Sequence, residues 1–192
     1  MQPLRKPILQ QQRYTYEDYC TWDDGERWEL IDGIAYAMAP APPTSHQGVS
    51  RDILLQIGGF LRGKKCEVFG APFDVRLNSK TKNNTVVQPD LVVICDKSKI
   101  DNKGCDGAPD MVVEILSPSS VSHDVFRKYA LYQKAGVREY WIVDPDAKTV
   151  VTHILKDGVY SGMVYEQSDI VPVSVLDGCT VNLAEVFEER DN

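Results

Sequence analysis

The chain reads as an α/β protein, and three features carry that reading. Short, largely apolar runs of strand length occupy residues 86–94, 111–116 and 139–144. Two stretches, residues 44–62 and 121–135, place apolar side chains at helical spacing. Alternating runs flank Asp32-Gly33 towards one end and Asp157-Gly158 towards the other, each pair being the signature of a tight β-hairpin. Buried strands interleaved with amphipathic helices imply a sheet covered by helices, here with one hairpin added at each end.

The totals bound the possibilities. A length of 192 residues is ample for one sizeable core, and the chain divides into a flexible arm, residues 1–13, and a single domain, residues 14–192. With 43% hydrophobic and 26% charged residues it is not a disordered chain. No apolar run approaches the length of a membrane span, and the first dozen residues lack the apolar region and cleavage site of a signal peptide. A cytoplasmic location with no membrane partner is therefore expected. Five cysteines, Cys20, Cys66, Cys95, Cys105 and Cys179, are scattered, odd in number and without a CxxC pair, so they read as reduced thiols acting as small apolar residues. The net charge of −7, from 28 acidic against 21 basic residues, argues against strong non-specific binding to nucleic acid.

Taken in order, Thr15 and Asp18 have the spacing of a capping box that starts a short helix. In the hairpin strand that follows, Glu29 shares a face with Arg27 and Ile31, opposite Trp28 and Leu30, and from spacing alone reads as solvent-facing. The helix at 44–62 presents Val49, Ile53, Ile57 and Phe60 on one face. His46 lies on that face and reads as a core histidine satisfied by a neighbour, with a site residue as the alternative. Residues 65–69 and 73–77 read as short strands. The polar loop 78–84, with Lys80 and Lys82, reads as a solvated tip, and is one of the few places where a phosphate backbone could be gripped. In the strand-like run 86–94, Pro89 interrupts the ladder and points to an edge or a bulge immediately before Asp90. Beyond residue 121 the helix takes Ser119 or Ser120 as its cap, Asp124 near its positive end and Gly136 as its stop, and residues 181–190 supply a short last helix.

The centre of the chain is residues 110–135. Glu114 interrupts an apolar strand on the face it shares with Val112 and Leu116. On the helix that follows, Val125, Lys128, Tyr132 and Ala135 all fall within about 40° of Val121, which turns Lys128 towards the core. A buried carboxylate and a buried ammonium each require a partner. Asp110, four residues before Glu114, is about 13 Å away along a strand and too far to share an ion. Asp90, arriving on another strand, is the better partner, because adjacent strands about 5 Å apart let two carboxylates meet one hard cation such as Mg²⁺. The backbone carbonyl of Ile115 offers a further oxygen. Tyr132 reads as packing.

These residues fall into an ordered series: Glu29-Leu30-Ile31-Asp32-Gly33, His46, Gln88-Pro89-Asp90-Leu91, Val113-Glu114-Ile115-Leu116-Ser117-Pro118-Ser119, Asp124-x-x-x-Lys128-x-x-x-Tyr132, and Gly136-Val137-x-Glu139-Tyr140-Trp141-Ile142-Val143-Asp144-Pro145. The series resembles the restriction endonuclease family called Uma-two, within the PD-(D/E)xK nuclease superfamily, and it spans about residues 14–187. The resemblance implies a restriction endonuclease-like mixed-sheet core that binds Mg²⁺, or Mn²⁺ in its place, and hydrolyses DNA phosphodiesters. It assigns metal binding to Asp90, Glu114 and the Ile115 carbonyl, and catalysis to Asp90, Glu114, Lys128 and Glu29. The superfamily usually carries its lysine two residues after the glutamate, where this chain has Leu116; the lysine is instead Lys128, moved from strand to helix. Glu29 matches an acidic residue of the superfamily's first element, which binds metal through water or pairs with Lys128. Nucleases that cut both strands are commonly two-fold, so a homodimer is expected.

Two readings from other classes stay open at this point. One is a nuclease-fold module that binds nucleic acid or protein without cutting, as the missing strand lysine and the net charge suggest. The other is a dimeric scaffold in which a Glu114–Lys128 pair only fixes how the helix docks and Asp90 caps a turn.

Overall fold

The Thr15 hydroxyl accepts the Asp18 amide while the Asp18 carboxylate accepts the Thr15 amide at 2.7 Å, closing the capping box that starts α1 (Tyr16–Tyr19). This detail comes from a computed structural model that describes residues 12–38, 41–117 and 122–188, the side chains of residues 122–124 excepted. The expected arm, residues 1–13, and the expected caps Ser119 and Ser120 lie almost entirely outside the described residues.

After α1 come β1 (Trp28–Ile31) and β2 (Ile34–Ala37), joined at Asp32 and Gly33. Both turn residues have positive φ, 48° and 81°, as a type I′ turn requires. The 18-residue helix α2 (Thr44–Leu61) buries Val49, Ile53, Ile57 and Leu61 along one face. It is followed by β3 (Glu67–Gly70), β4 (Val75–Arg76), β5 (Val86–Val87) and β6 (Leu91–Ile94). A short 3₁₀ turn precedes β7 (Ile100–Asp101) and β8 (Gly104–Asp106), in a stretch that has no apolar alternation to announce strands. Then come β9 (Met111–Ile115), α3 (Ser122–Ala135), β10 (Glu139–Asp144), the hairpin β11 (Thr149–Lys156) and β12 (Val159–Glu166), β13 (Ile170–Pro172), β14 (Thr180–Asn182) and α4 (Leu183–Val186).

These strands form two six-stranded sheets and a small pair. The larger sheet runs β12-β11-β10-β9-β6-β3, with β9 parallel to β10 and antiparallel to β6. The other runs β2-β1-β5-β4-β8-β7, and β13 pairs with β14. Mixed sheets flanked by helices are the α/β architecture expected, and the C-terminal hairpin extends the larger sheet, while the N-terminal hairpin is the edge of the second.

Alternation along β9 splits the core. Met111, Val113 and Ile115 join Ile53 and Ile57 of α2, Trp141 and Val143 of β10 and the C-terminal Val171, Val181 and Leu183. On the opposite face, Val112 packs with Val92, Ile94, Tyr140 and Tyr132 of α3, together with Val75 and Val87 of the second sheet. Glu114 follows Val112 on that second face, so it points between the two sheets.

Two expectations need correcting here. The run 86–94 is not one strand: β5 belongs to one sheet and β6 to the other, and only Gln88, Pro89 and Asp90 lie between them. Pro89 marks neither an edge nor a bulge but the point where the chain changes sheets, where its missing N–H breaks no ladder. The cysteines are not all reduced, because Cys66 and Cys95 form a disulfide. β3 and β6 pair with Glu67 opposite Ile94, which brings the next residue at each strand end face to face. Cys20, Cys105 and Cys179 are free, the last two buried.

Candidate functional site

The sheet change at 88–90 gathers groups from both sheets and from two helices. Glu29 comes from β1 in the second sheet; its Oε1 accepts the Gln88 amide at 3.0 Å and lies 3.0 Å from Lys128 Nζ. Glu114 comes from β9 in the larger sheet, and its Oε1 lies 3.0 Å from the same Nζ. Lys128, 7% exposed, thus joins a carboxylate of each sheet. Tyr132, one turn further along α3, donates its hydroxyl to Glu114 Oε1 at 2.7 Å.

Asp90 stands where β6 begins. Its Oδ2 accepts the Ile115 amide at 2.7 Å, continuing across β6 and β9 the bonding that the backbone pairing of Leu91 with Val113 ends. From the first turn of α2, His46 Nε2 approaches the same Oδ2 at 3.4 Å.

Several side chains therefore stand elsewhere than spacing suggested. Glu29 is 5% exposed, not solvent-facing, because α3 brings Lys128 against its face of β1. Tyr132 does more than pack, since its ring is buried among Tyr140 and the apolar core while its hydroxyl holds Glu114. His46 is 5% exposed and meets Asp90, the neighbour that a buried histidine on that face requires. Asp110, set aside on distance, is occupied away from this cluster: its Oδ2 accepts the Cys95 amide at 2.6 Å and its Oδ1 pairs with Arg138. The neighbour that spacing missed is Gln88. Its side chain donates to Asp74 Oδ1 at 2.8 Å and to the Tyr19 hydroxyl at 3.1 Å, and accepts from Arg27 at 2.7 Å. Those bonds pin the crossover that carries Asp90.

The charge balance is the unusual feature. Glu29 and Glu114 share one ammonium, and Asp90 adds its negative field at Glu114. Burial pushes the Glu114 carboxyl up to about 7; Lys128 draws it down, Asp90 and Glu29 push it higher, and the Tyr132 hydroxyl draws it down. Burial disfavours a charged His46, yet Asp90, the Ile115 carbonyl and Glu114 leave its pKa above the ordinary histidine value. Tyr132 is held well above the usual phenol value by burial and by the negative field of Glu114 and Glu29. Glu139 makes an instructive contrast. It is fully buried, but neutral donors occupy both oxygens, Trp141 Nε1 and the Val175 amide each at 2.8 Å, as a structural carboxylate requires.

Among the described residues no three His, Cys, Asp or Glu side chains converge as a metal-ion cluster. The donors available to a cation are fewer and harder. Glu114 Oε2 and Asp90 Oδ1 take no hydrogen bond among the described residues, and both side chains keep some solvent access. With the Ile115 carbonyl beside Asp90, that is an oxygen set completed by water, which is how Mg²⁺ is commonly held. The residues fit such an ion.

Comparison with known proteins bears on the family and the fold. The family Uma2, described as "Putative restriction endonuclease", matches residues 15–184. The chain is 28% identical over 157 residues to the uncharacterized protein slr1290 of Synechocystis sp. strain PCC 6803, covering 80% of each. Among solved structures it resembles one described as "a putative nuclease belonging to DUF820" from Anabaena variabilis ATCC 29413, with a TM-score of 0.73 and 21% identity over 91% of this chain and 97% of that one. At that identity the likeness speaks for the fold.

Proposed function

The chain belongs to the Uma2 family, and from that premise we propose that it is a Mg²⁺-dependent endonuclease that hydrolyses DNA phosphodiesters. The single observation that carries this reading is Glu114, a carboxylate held by Lys128 and Tyr132 through one oxygen only, beside Asp90 and with an excess of negative charge. A purely structural carboxylate would be bonded as Glu139 is. A divalent cation supplies what the cluster lacks.

Asp90, Glu114 and the Ile115 carbonyl would hold that cation, which when bound polarises the scissile phosphate and eases loss of a proton from the attacking water. The chain's own residues do the rest. The Ile115 amide fixes the Asp90 carboxylate at 2.7 Å, and Tyr132 fixes that of Glu114 at 2.7 Å, so neither must reorganise when the phosphate arrives. Lys128 aims a positive charge at the place where negative charge accumulates on the phosphate, and orients the water. Glu29 holds Lys128 at 3.0 Å from the side opposite Glu114, a positioning role. Cleavage of both strands would involve two copies of the chain, since a two-fold duplex suits a two-fold protein.

The test is nicking of supercoiled DNA with Mg²⁺ or Mn²⁺. Asp90→Asn, Glu114→Gln and Lys128→Ala should each lower the rate by roughly a hundredfold or more, the scale on which electrostatic contributors to catalysis act. A wild-type protein no faster than these variants on double-stranded DNA, single-stranded DNA and RNA would replace this reading with that of a non-cleaving binding module.

A further inference from the structure

The polar loop 78–84 closes a cavity of about 360 Å³ against the C-terminal end of α3 and the end of β8. Leu77, Leu131 and Ala135 supply apolar wall, and Lys80, Lys99 and Lys134 reach it from separate parts of the chain. The neutral polar groups of the lining are already bonded within the protein. The Asn78 side-chain amide donates to Asn84 Oδ1 at 2.7 Å and to Thr85 Oγ1 at 3.1 Å, and Thr85 Oγ1 also accepts the Asp32 amide at 3.2 Å. The Thr81 hydroxyl donates to the Asn78 carbonyl at 3.0 Å, and that of Ser79 to the Asp106 carboxylate. Those bonds fix the wall in advance of any ligand. The lysines differ. Lys99 Nζ donates to the Ala108 carbonyl at 2.8 Å, which leaves its other N–H groups available, while Lys80 and Lys134 are exposed. Among the described residues none of the three forms an ion pair with a carboxylate. The negative end of α3 accounts for Lys134, but not for two more lysines around the same cavity in a chain of net charge −7.

We propose that this cavity binds a nucleotide. Its volume and its apolar wall with a few charged anchors are those of a small-ligand site. Lysines without carboxylate partners call for an anion, and a phosphate meets several ammonium groups at once. Asp32 lines the same cavity, and its carboxylate takes no hydrogen bond among the described residues, so it can accept from a sugar hydroxyl or a base amine. Leu77, Leu131 and Ala135 offer an apolar surface to the base. A bare phosphate would leave that surface unfilled and Asp32 facing a like charge, and a nucleoside would leave the lysines unanswered. Neither Asp90, Glu114 nor Lys128 belongs to the lining, so the site stands whether or not a cation binds between the two carboxylates.

The experiment is isothermal calorimetry of the full chain in chelator, with adenosine 5′-monophosphate, adenosine and inorganic phosphate as probes. The monophosphate should bind about tenfold or more tighter than either of its parts, and its affinity should fall as added salt screens the lysines. Lys80→Ala combined with Lys134→Ala should weaken it by about tenfold or more, the scale of lost charge-assisted hydrogen bonds. Both side chains are exposed, so the variant should fold. Lys82→Ala, in the same loop but outside the lining, should leave the affinity unchanged. Displacement of the monophosphate by a single-stranded oligonucleotide would identify the ligand as one nucleotide of a strand, and its retention would identify a free nucleotide. No binding of the monophosphate at millimolar concentration, or equal weakening by Lys82→Ala, would overturn the site. Binding kept in the double lysine variant but lost in Asp90→Asn would place the nucleotide at the catalytic cluster and overturn it as well.

Discussion

Glu29 and Glu114 stand on different sheets yet share one ammonium, Lys128 Nζ lying 3.0 Å from an oxygen of each. The contact ties the second sheet, the larger sheet and α3 at one point. Removing the lysine leaves two buried carboxylates facing each other, with Asp90 nearby. Lys128→Met should therefore destabilise the metal-free protein by about 3 kcal/mol, typical of breaking a buried pair from one side. Combining it with Glu114→Gln should restore part of that loss. Urea unfolding in a chelator measures both, and a single variant as stable as wild type would count against the tie.

Glu114 also makes stability depend on pH. Its folded pKa, about 7, lies above the ordinary carboxyl value of 4.5, so the folded state takes up a proton more readily than the unfolded chain. Its stabilising contribution is complete below about pH 4.5 and is lost as pH rises through 7. Relative to wild type, Glu114→Gln should become more stable across that window by on the order of 3 kcal/mol, then level off. Parallel stability curves for the two proteins in chelator would contradict the shift. Cation binding should move the opposite way, weakening as pH falls below about 7, because the ion competes with the proton.

The hydroxyl of Tyr132 is one of the groups that keep Glu114 ionised. Tyr132→Phe retains the ring and removes the 2.7 Å bond, which should cost about 1–3 kcal/mol. Losing that donor also raises the Glu114 pKa further, so the pH midpoint of Mn²⁺ binding should shift upward. An unchanged midpoint in calorimetry would show that the hydroxyl does not govern this carboxylate.

Cys66 and Cys95 close a loop across 29 positions at the ends of paired strands. Loop-closure entropy for a crosslink of that span is about 3–4 kcal/mol. Reduction, or Cys66→Ser with Cys95→Ser, should lower stability by up to that amount. Alkylation of the unreduced, unfolded chain should label three cysteines and spare two; labelling of all five would contradict the pairing.

How much of this was legible in the residues depends on whether local geometry or assembly decides. Lys128 is readable because helical periodicity alone turns it to the core face with Tyr132. The Asp-Gly turns are readable because positive φ at both turn positions restricts the residues that fit. Glu29 was not, since alternation along β1 says which residues share a face but not that α3 covers it. The Tyr132 ring follows from periodicity, whereas the partner of its hydroxyl depends on where β9 lies. Gln88 and the Cys66–Cys95 bridge escape for the same reason: their partners are 14 and 29 positions away and meet only once the sheets form. Pro89 signalled a break in the ladder without disclosing that the chain crosses there to another sheet. The fold class, resting on runs of strand and helix length, needed none of that long-range information.

The most direct test of the account is anomalous diffraction from crystals soaked in Mn²⁺ near pH 8. One strong peak between the Asp90 and Glu114 carboxylates, next to the Ile115 carbonyl, is the result it predicts. A map without density there at saturating Mn²⁺, with Glu114 still joined to Lys128 and Tyr132, would contradict it and leave the polar cluster as a structural clamp between two sheets.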